Sequence, residues 1–400
     1  MRDVVITEAC RSAIGNLGGT LTPLKADDLS TAVVKGALSR SGIDPAAIDM
    51  VILGHCRQTS DDPNIARLTA LKSGLPESVP AYTVMAQCVS GMTAIMNAAT
   101  YIQSGQADVV LAGGTESMSN AVFYFRDGRF GIGTRNTELL DALIEAQLRS
   151  QPQDIYGVFN MGITAENVAE KYGVNREEQD AFACASQSKA LKAIIDGKFK
   201  DEIVPVEIPQ RKKPPIVFDR DEFPRETSPE ALAALKPVFK TDGTGTVTAG
   251  NSSGRNDGAA AMILMTREKA EELDMKPLAL VRSFAMAGVD PRIMGIGPVP
   301  ASEKALKAAG LEAGDIGLVE LNEAFAAQAL GCLKNMPYDP SIVNVNGGAI
   351  ALGHPLGCTG TRISVTLLHE MLKRNVRFGL ATLCVAGGMG GALILENIAQ

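Results

Sequence analysis

Short apolar runs alternate along the chain with longer stretches in which apolar residues recur at helical spacing. Residues 91–105 predict a helix rich in small residues, and residues 107–114 predict a strand that ends in Gly-Gly. The same order recurs later, with a helix over 361–374 and a strand over 378–388 that again ends in Gly-Gly. Buried strands between amphipathic helices predict an α/β protein.

An internal repeat refines this prediction. Residues 37–53 align without a gap on residues 305–321, an offset of 268, and six positions are identical. Each copy reads as the end of a helix, a glycine stop, a short turn and a buried strand. The repeat therefore predicts two duplicated α/β halves rather than a solenoid, which needs short periods.

A long segment separates the two copies and predicts an insertion carried on the first half. It contains helical patterns over 166–197 and an irregular, proline-rich stretch over 205–226, of the kind that often forms binding loops. The predicted organisation is a first half in two parts, 1–117 and 251–272, an inserted loop domain, 118–250, and a second half, 273–400.

Composition and charge exclude several classes of protein. Apolar residues make up 46% of the 400 residues and charged residues 21%, which is ordinary for a globular protein. The net charge of −7 argues against nucleic-acid binding, and the basic run 211–213 reads as a solvated loop or as a contact to a phosphorylated ligand. No apolar run approaches the roughly 18 residues of a membrane span.

The seven cysteines stand singly, without CxxC pairs. This spacing argues against a disulfide framework and against a thiolate metal site, so we expect no metal. With no leader visible at the first residues, a reducing cytoplasm is the expected location.

Cys88 is the first candidate for chemistry. A short extended stretch ends there and a helix follows, so the sulfur lies near a helix N-terminus, where N–H groups and the helix dipole stabilise a thiolate. Ser90 is the expected cap of that helix. The alternative is an ordinary buried cysteine in the core.

His354 stands in a stretch with five glycines in nineteen residues, 344–362, directly before Pro355. An imidazole can take a proton from a thiol and return it, although a polar loop histidine is the plainer interpretation. His55 lacks comparable surroundings, and His369 is expected on the surface of a helix.

Two further residues follow predicted strands of the second half. Cys384 lies in a glycine-rich turn, where a second thiol could act as acid or base, unless it is simply buried. Asn322 carries an amide that could position a water or an oxyanion. A cysteine nucleophile, a histidine base, an asparagine and a second cysteine together predict acyl transfer through a thioester.

These residues stand in motifs that resemble the thiolase family, which includes acetyl-CoA acetyltransferases and 3-ketoacyl-CoA thiolases. The resemblance covers residues 2–396. It is carried by QCVSG (87–91), GGTESMS (113–119), MGITAENVA (161–169), TAGNSSGRNDGAAA (248–261), MGIGPVPA (294–301), NEAFAAQ (322–328), NGGAIALGHPLGCTGTR (346–362) and CVAGGMGGA (384–392).

The resemblance implies a duplicated thiolase-like fold, layered α-β-α-β-α, with an inserted loop domain that binds coenzyme A. It implies that Cys88 becomes acylated, that His354 activates its thiol, and that Cys384 moves a proton in the second half-reaction. Asn322 would hold a water in one oxyanion hole. The backbone N–H groups of Cys88 and Ala386 would form the other, and a positive φ at Ala386, where the family usually has glycine, would strain that residue.

Binding residues also carry over by motif. The resemblance implies that coenzyme A contacts Arg225, Leu235, Phe239, Ala249 and Ser253, and that the acyl group contacts Met161, Met294 and Phe325. It implies no cofactor besides coenzyme A and its thioesters as substrates, no nucleic-acid or membrane partner, and a homo-oligomer, either a dimer or a tetramer.

The reaction implied is reversible condensation of two acetyl-CoA to acetoacetyl-CoA plus CoA, or thiolysis of a 3-ketoacyl-CoA, with ping-pong kinetics. The alternatives are a longer-chain degradative thiolase of fatty-acid β-oxidation and a non-catalytic thiolase-like binding protein. Decarboxylating ketoacyl synthases use a second histidine where this chain has Asn322. A papain-like protease would carry a tryptophan after its cysteine, and this chain has none.

Overall fold

The computed structural model describes residues 2–399, so that Met1 and Gln400, the outer ends of the first and last predicted ranges, lie outside the described residues. Most of its strands belong to one large mixed sheet. The strands are β1 (Val4–Arg11), β2 (Gly15–Asn16), β3 (Met50–Gly54), β4 (Ala81–Val84), β5 (Val109–Ser117), β6 (Phe123–Tyr124), β7 (Leu140–Asp141), β8 (Val206–Gln210), β9 (Lys213–Phe218), β10 (Asn256–Thr266), β11 (Ala279–Gly288), β12 (Leu318–Leu321), β13 (Phe378–Val385) and β14 (Met389–Asn397).

Helices precede or follow most of these strands, as the alternating pattern of the sequence predicts. No helix within residues 2–399 combines the length and apolar composition that crossing a membrane requires. The helices are α1 (Ala26–Ser41), α2 (Ile65–Lys72), α3 (Ser90–Gln103), α4 (Ala142–Leu148), α5 (Gln153–Tyr156), α6 (Met161–Tyr172), α7 (Arg176–Ile195), α8 (Pro229–Ala233), α9 (Arg267–Glu272), α10 (Pro298–Ala309), α11 (Ala326–Leu333), α12 (Ala349–Leu352) and α13 (Leu356–Arg374).

The order of the sheet strands makes the duplication visible. In the first half β3 pairs in parallel with β5, and β5, β10 and β1 then pair antiparallel. In the second half β12 pairs in parallel with β13, and β13, β14 and β11 pair antiparallel. The two halves join where β1 pairs with β11. Four strands thus recur in the same order and sense, which confirms the predicted duplicated fold.

Alternation along the strands divides the core into layers. In β5, Val109 and Leu111 pack with α1 and α2 on the outer face, whereas Val110 and Ala112 face the layer formed by α3 and α13. Strands of the second half bury one face against the same central layer and the other against α10 and α11. Because side chains of a strand alternate between its faces, both sheet halves are covered on both sides, and the order is α-β-α-β-α.

Equivalent glycines end equivalent helices in the two halves. Gly42 follows α1 with φ +68°, and Gly310, 268 residues later, follows α10 with φ +67°. A left-handed residue after the last turn lets its N–H bond back to a helix carbonyl, and glycine adopts that conformation without strain. The glycine stop read from the repeat is therefore a helix cap in both copies.

The prediction of a turn at Gly113 and Gly114 is wrong. β5 continues through Gly113 and Gly114 to Ser117. A Cβ at Gly114 would lie 2.1 Å from the carbonyl oxygen of Gly357. The glycines of the first half therefore allow the start of α13 to pack against β5, whereas Gly387 and Gly388, both with φ near +90°, do form the turn between β13 and β14.

The segment that the sequence assigns to an inserted domain, 118–250, contains helices α4 to α8 and two hairpins. Its proline-rich part is more regular than expected, because β8 and β9 form an antiparallel hairpin. The basic residues Arg211 and Lys212 make the turn of that hairpin and are exposed, as is Lys213.

Candidate active site

A strained turn presents Cys88 at the start of α3. Gln87 has φ +53°, which is unusual for a residue with a side chain. The Ser90 hydroxyl donates to the Gln87 carbonyl (2.6 Å) and accepts from the Ala86 N–H (2.9 Å). The predicted capping role of Ser90 is wrong, because Ser90 is the first residue of α3 and its side chain holds the preceding turn instead. These two hydrogen bonds of Ser90 hold the turn that carries Cys88.

Opposing effects act on the pKa of the Cys88 thiol. Burial raises its pKa above the usual range, whereas the Ala386 N–H, the Arg57 charge and the Cys88 N–H lower it. The two N–H groups are those that the sequence assigns to an oxyanion hole. Both lie close enough to the Cys88 sulfur to lower its pKa, so they stand near the place where negative charge develops when Cys88 reacts.

His354 is buried and its tautomer follows from its neighbours. Its Nδ1 lies 2.6 Å from the Thr359 hydroxyl oxygen, and that hydroxyl donates to the Pro355 carbonyl (2.8 Å). Since the single hydroxyl proton is used, Nδ1 must carry the proton that joins it to Thr359. The Nε2 atom is then the unprotonated nitrogen and is free to accept a proton.

The imidazole is kept neutral. Burial lowers the pKa of His354 to about 3, with the Arg362 charge acting in the same direction. The backbone around it is also fixed, because the His354 N–H donates to the Asn256 side chain (3.0 Å) and Gly353 adopts φ +99°. A Cβ at Gly353 would lie 2.5 Å from the Asn256 side chain, so this position needs glycine.

Cys384 lies near the end of β13 and is almost completely buried. Burial raises the pKa of its thiol well above the usual range, and Cys88 and Cys332 raise it further. Ala386 follows without a positive φ, so the alanine in place of the usual glycine is not strained, and its N–H reaches Cys88. The thiol of Cys384 is therefore harder to ionise than an exposed thiol.

Asn322 directly follows β12, where its backbone N–H donates to Thr382 (2.9 Å). Its side-chain Oδ1 and Nδ2 are both buried and have no hydrogen-bond partner among residues 2–399. A buried amide without partners is costly unless water or a ligand satisfies it. This is the property expected of an asparagine that holds a water.

One pocket, with a volume of about 180 Å³, brings most of the predicted residues together. Asn322, Arg225, Leu235 and Ala249 do not line it. The predicted residues that do are Cys88, Met161, Phe239, Ser253, Met294, Phe325, His354, Cys384 and Ala386.

The predicted acyl residues surround the second thiol. Met161, Met294 and Phe325 pack in one apolar cluster with Cys384 and Ala386. Phe325 meets Phe239 edge to face, with ring centroids 6.2 Å apart. The apolar part of the pocket therefore lies directly beside Cys384.

The predicted coenzyme A residues divide into two groups. Ser253 is held in the pocket, because its N–H donates to the Ala324 carbonyl (3.0 Å). Arg225 is exposed and stacks on Phe223, and Leu235 and Ala249 are exposed outside the pocket. The structure leaves the roles of these three outer residues as predictions.

Sequence reasoning missed a buried ion pair beside the nucleophile. Glu116 accepts hydrogen bonds from the N–H groups of Cys56 (3.1 Å), Arg57 (3.0 Å) and Gly357 (2.8 Å), and lies 3.3 Å from His55 Nε2. The His55 charge and these donors outweigh burial and lower the pKa of Glu116 to about 2. Glu116 thereby ties the chain after β3 to the start of α13, just after His354.

Both other histidines are buried, so the surface position predicted for His369 is wrong. His55, which lacks the glycine-rich surroundings of His354, is buried against Glu116. His369, expected on the surface, is buried and its Nε2 lies 2.8 Å from the Ala9 carbonyl oxygen. Neither partner is near in sequence, and only the position of Glu116 inside the GGTESMS motif could have signalled the first.

Glu323 is a second residue whose role the sequence did not reveal. Its carboxylate accepts from the Ser186 hydroxyl (2.6 Å), the Asn344 amide (2.8 Å) and the Ile350 N–H (3.2 Å). Burial raises its pKa. Glu323 anchors the loop that carries Asn322 to α7 and to the segment before His354.

Comparison with known proteins agrees with this geometry. The thiolase N-terminal domain model matches residues 4–268 and the thiolase C-terminal domain model matches residues 275–397. An acetyl-CoA acetyltransferase of Allochromatium vinosum is 51% identical over 397 residues, covering 99% of each chain. An acetyl-CoA acetyltransferase of Cupriavidus necator is 50% identical over 398 residues, covering 99% of this chain and 100% of the relative.

Solved structures show the same similarity. The crystal structure of the Bacillus anthracis acetyl-CoA acetyltransferase superposes with a TM-score of 0.96 at 47% identity, covering 100% of this chain and 99% of that one. The human mitochondrial 3-ketoacyl-CoA thiolase superposes with a TM-score of 0.94 at 42% identity, with the same coverage.

Proposed function

The chain belongs to the thiolase family, and on that premise we propose that it transfers acyl groups between coenzyme A thioesters through an acyl-Cys88 intermediate. The observation that carries this proposal is the shared pocket of Cys88, His354 and Cys384, in which one thiol faces two N–H donors. The relatives of about 50% identity are named acetyl-CoA acetyltransferase, which favours acetyl-CoA and acetoacetyl-CoA as substrates.

In the first half-reaction the unprotonated Nε2 of His354 takes the Cys88 proton. The thiolate attacks the thioester carbonyl, and the oxyanion of the tetrahedral intermediate forms near an oxyanion hole. When the intermediate collapses, the bond to coenzyme A sulfur breaks, His354 returns the proton to that sulfur, and acyl-Cys88 remains.

In the second half-reaction of condensation, Cys384 as a thiolate removes a proton from the α-carbon of a second acetyl-CoA. The carbanion attacks acyl-Cys88, and the Cys88 sulfur leaves with its electron pair. In thiolysis the order reverses, and the protonated Cys384 donates to the α-carbon of the departing acetyl-CoA. Asn322, with its unpartnered amide, is proposed to hold a water that stabilises the enolate oxygen together with His354.

Thiolysis of acetoacetyl-CoA by coenzyme A tests the proposal, followed as loss of the 3-ketoacyl enolate absorbance in wild type and Cys88→Ala. We expect activity to fall by about 10⁴-fold or more in the variant, since removing a nucleophile abolishes the covalent route. Mass spectrometry of the wild type with acetyl-CoA alone should show an acetyl group on Cys88.

Cys184→Ala is the matched control, because Cys184 is only half-buried on α7, outside the pocket. It should retain full activity. Full activity in Cys88→Ala, or an inactive wild type with every 3-ketoacyl-CoA from four to sixteen carbons, contradicts the proposal. The chain-length profile decides between acetoacetyl-CoA and the longer substrates of a degradative thiolase.

The proposed steps use only thiol, imidazole and amide groups, so we propose that the reaction needs no cofactor besides coenzyme A. We also propose a cytoplasmic location, since all seven cysteines are free thiols, as a reducing compartment maintains them.

Self-association into a dimer or tetramer is the remaining part of the proposal. Large apolar side chains are exposed in the segment from β6 to α5, among them Phe123, Phe130, Leu139 and Ile155. Contiguous exposed apolar surface is typical of protein interfaces. The molar mass in solution, measured by light scattering, decides between the two sizes.

A further inference from the structure

Arg57 is a cation in the catalytic pocket whose charge the proposed reaction does not use. It follows the Glu116-bound turn after β3 and lines the pocket beside Gln87 and Cys88. Its Nε is buried without a hydrogen-bond partner, and its side chain makes one long contact, from Nη1 to the Cys56 carbonyl oxygen (3.5 Å).

The buried carboxylate of Glu116 does not contact this guanidinium directly. Glu116 binds the backbone N–H of Arg57, not its guanidinium, and its two oxygens are taken by three N–H groups and by His55. Within residues 2–399, no carboxylate lies within 4.0 Å of the Arg57 guanidinium. A planar, partly buried guanidinium with unused donors is suited to a carboxylate of a ligand.

Arg57 lies where two clefts meet. A second cleft, on the other side of α4, shares Arg57 and Gln87 with the catalytic pocket. Leu143 and Gln147 face the catalytic pocket from α4, whereas Glu145 and Arg149 face the second cleft and pair with each other (3.0 Å). Arg149 therefore has its partner, and Arg57 is the cation left at the junction.

The other arginine of the pocket lies beside a proposed coenzyme A contact. Arg255 is exposed and stands two residues after Ser253, which is proposed to contact coenzyme A. Arg255 is therefore placed to meet the coenzyme A part of a substrate, which leaves Arg57 as the pocket cation available to the acyl chain.

We propose that Arg57 makes this enzyme selective for 3-ketoacyl-CoA substrates whose acyl chain ends in a carboxylate. This inference rests on the proposed function and specifies its substrate class. The reaction is ordinary thiolysis: coenzyme A sulfur bonds to the 3-carbonyl carbon by way of acyl-Cys88, the bond between carbons 2 and 3 breaks, and carbon 2 gains a proton. The products are acetyl-CoA and a carboxylate-terminated acyl-CoA.

Two substrates of six acyl carbons test the inference. 3-Oxoadipyl-CoA ends in a carboxylate and 3-oxohexanoyl-CoA ends in a methyl group, so their kcat/KM ratio isolates recognition of the terminus. We expect the wild type to prefer the acid. Arg57→Gln should lower that ratio by about 10- to 100-fold, the range typical of a charge-assisted bidentate contact, and Arg57→Lys should lower it less.

The ratio is the decisive quantity because the Arg57 charge also lowers the pKa of Cys88, which affects both substrates alike. Arg255→Gln should change both kcat/KM values by the same factor. A wild type that cleaves 3-oxohexanoyl-CoA without preference for the acid, or a ratio unchanged in Arg57→Gln, overturns this inference alone. A wild type inactive on both substrates and on acetoacetyl-CoA overturns the proposed function and the inference with it.

Activity of the variants on 3-oxohexanoyl-CoA also shows that they fold. If Arg57→Gln proves insoluble, Arg57→Lys keeps the charge but not the bidentate geometry, and an unchanged ratio in that variant overturns the inference.

Discussion

The two halves of the molecule each contribute one cysteine to the same pocket, and their surroundings differ. Cys88 lies at the start of α3, where the Ala386 N–H, its own N–H and the Arg57 charge oppose the effect of burial. Cys384 lies near the end of β13, where only its own N–H opposes burial, and Cys88 and Cys332 raise its pKa further. The same side chain is therefore easier to ionise in the first half than in the second.

This difference supports the roles proposed for the two thiols. A nucleophile must reach the thiolate form, whereas a group that delivers a proton to carbon must first hold one. The duplicated fold brings one cysteine from each half into the same pocket. Their different surroundings give the two thiols different pKa values. The pairing of strands is the same in both halves, so the difference comes from loops and helix ends.

The largest expected effect separates the two half-reactions. Cys384→Ala should slow thiolysis of acetoacetyl-CoA by about 10²- to 10⁴-fold, the usual contribution of a general acid or base. Acetylation of Cys88 by acetyl-CoA alone, measured by mass spectrometry, should persist because it does not use Cys384. If the variant neither acetylates nor turns over, or keeps full turnover, the division of roles between the thiols is wrong.

A smaller effect concerns the ion pair beside Cys88. The pKa of Glu116 is lowered from 4.5 to about 2, so its charge contributes stability that is present above about pH 4.5 and lost as the pH falls toward 2. The shift corresponds to about 3 kcal/mol. Glu116→Gln should therefore lower the free energy of unfolding at pH 7 by about that amount. In this variant the free energy of unfolding should also decrease less between pH 4.5 and 2 than in the wild type.

Urea denaturation at several pH values measures both quantities. The pKa of His55 is raised, chiefly by Glu116 against the effect of burial, so its own contribution is lost as the pH rises through that pKa. Glu145→Gln is the matched control, because Glu145 pairs with Arg126 and Arg149 near the surface and should change stability far less. Equal losses in the two variants would contradict a special role for the buried pair.

The smallest expected effect is a difference in alkylation rate between the two thiols. Iodoacetamide reacts with thiolates, so Cys88 should be alkylated about tenfold faster than Cys384 at pH 7, and both rates should rise with pH. Peptide mass mapping over time measures the two rates. Faster modification of Cys384 would reverse the assignment of nucleophile and proton donor.

Much of this protein could be predicted from local signals. The repeat at an offset of 268 predicted the duplicated halves, and the glycine stops at 42 and 310 became helix caps of the same geometry. The thiolase family is confirmed by both domain models. Where the local signal was ambiguous the prediction failed, as at Gly113 and Gly114, because glycine serves close packing as well as turns.

The sequence by itself determined which residues can react, since a cysteine before a helix and a histidine in a glycine-rich turn are recognisable in the chain. The tertiary structure decided what each of them is able to do. Burial raises the pKa of both thiols, whereas the Ala386 N–H and the Arg57 charge lower that of Cys88 alone. Thr359 sets the tautomer of His354. The roles of Glu116 and Arg57 are visible only in the folded structure, because electrostatic interactions depend on distances in space and not on separation along the chain.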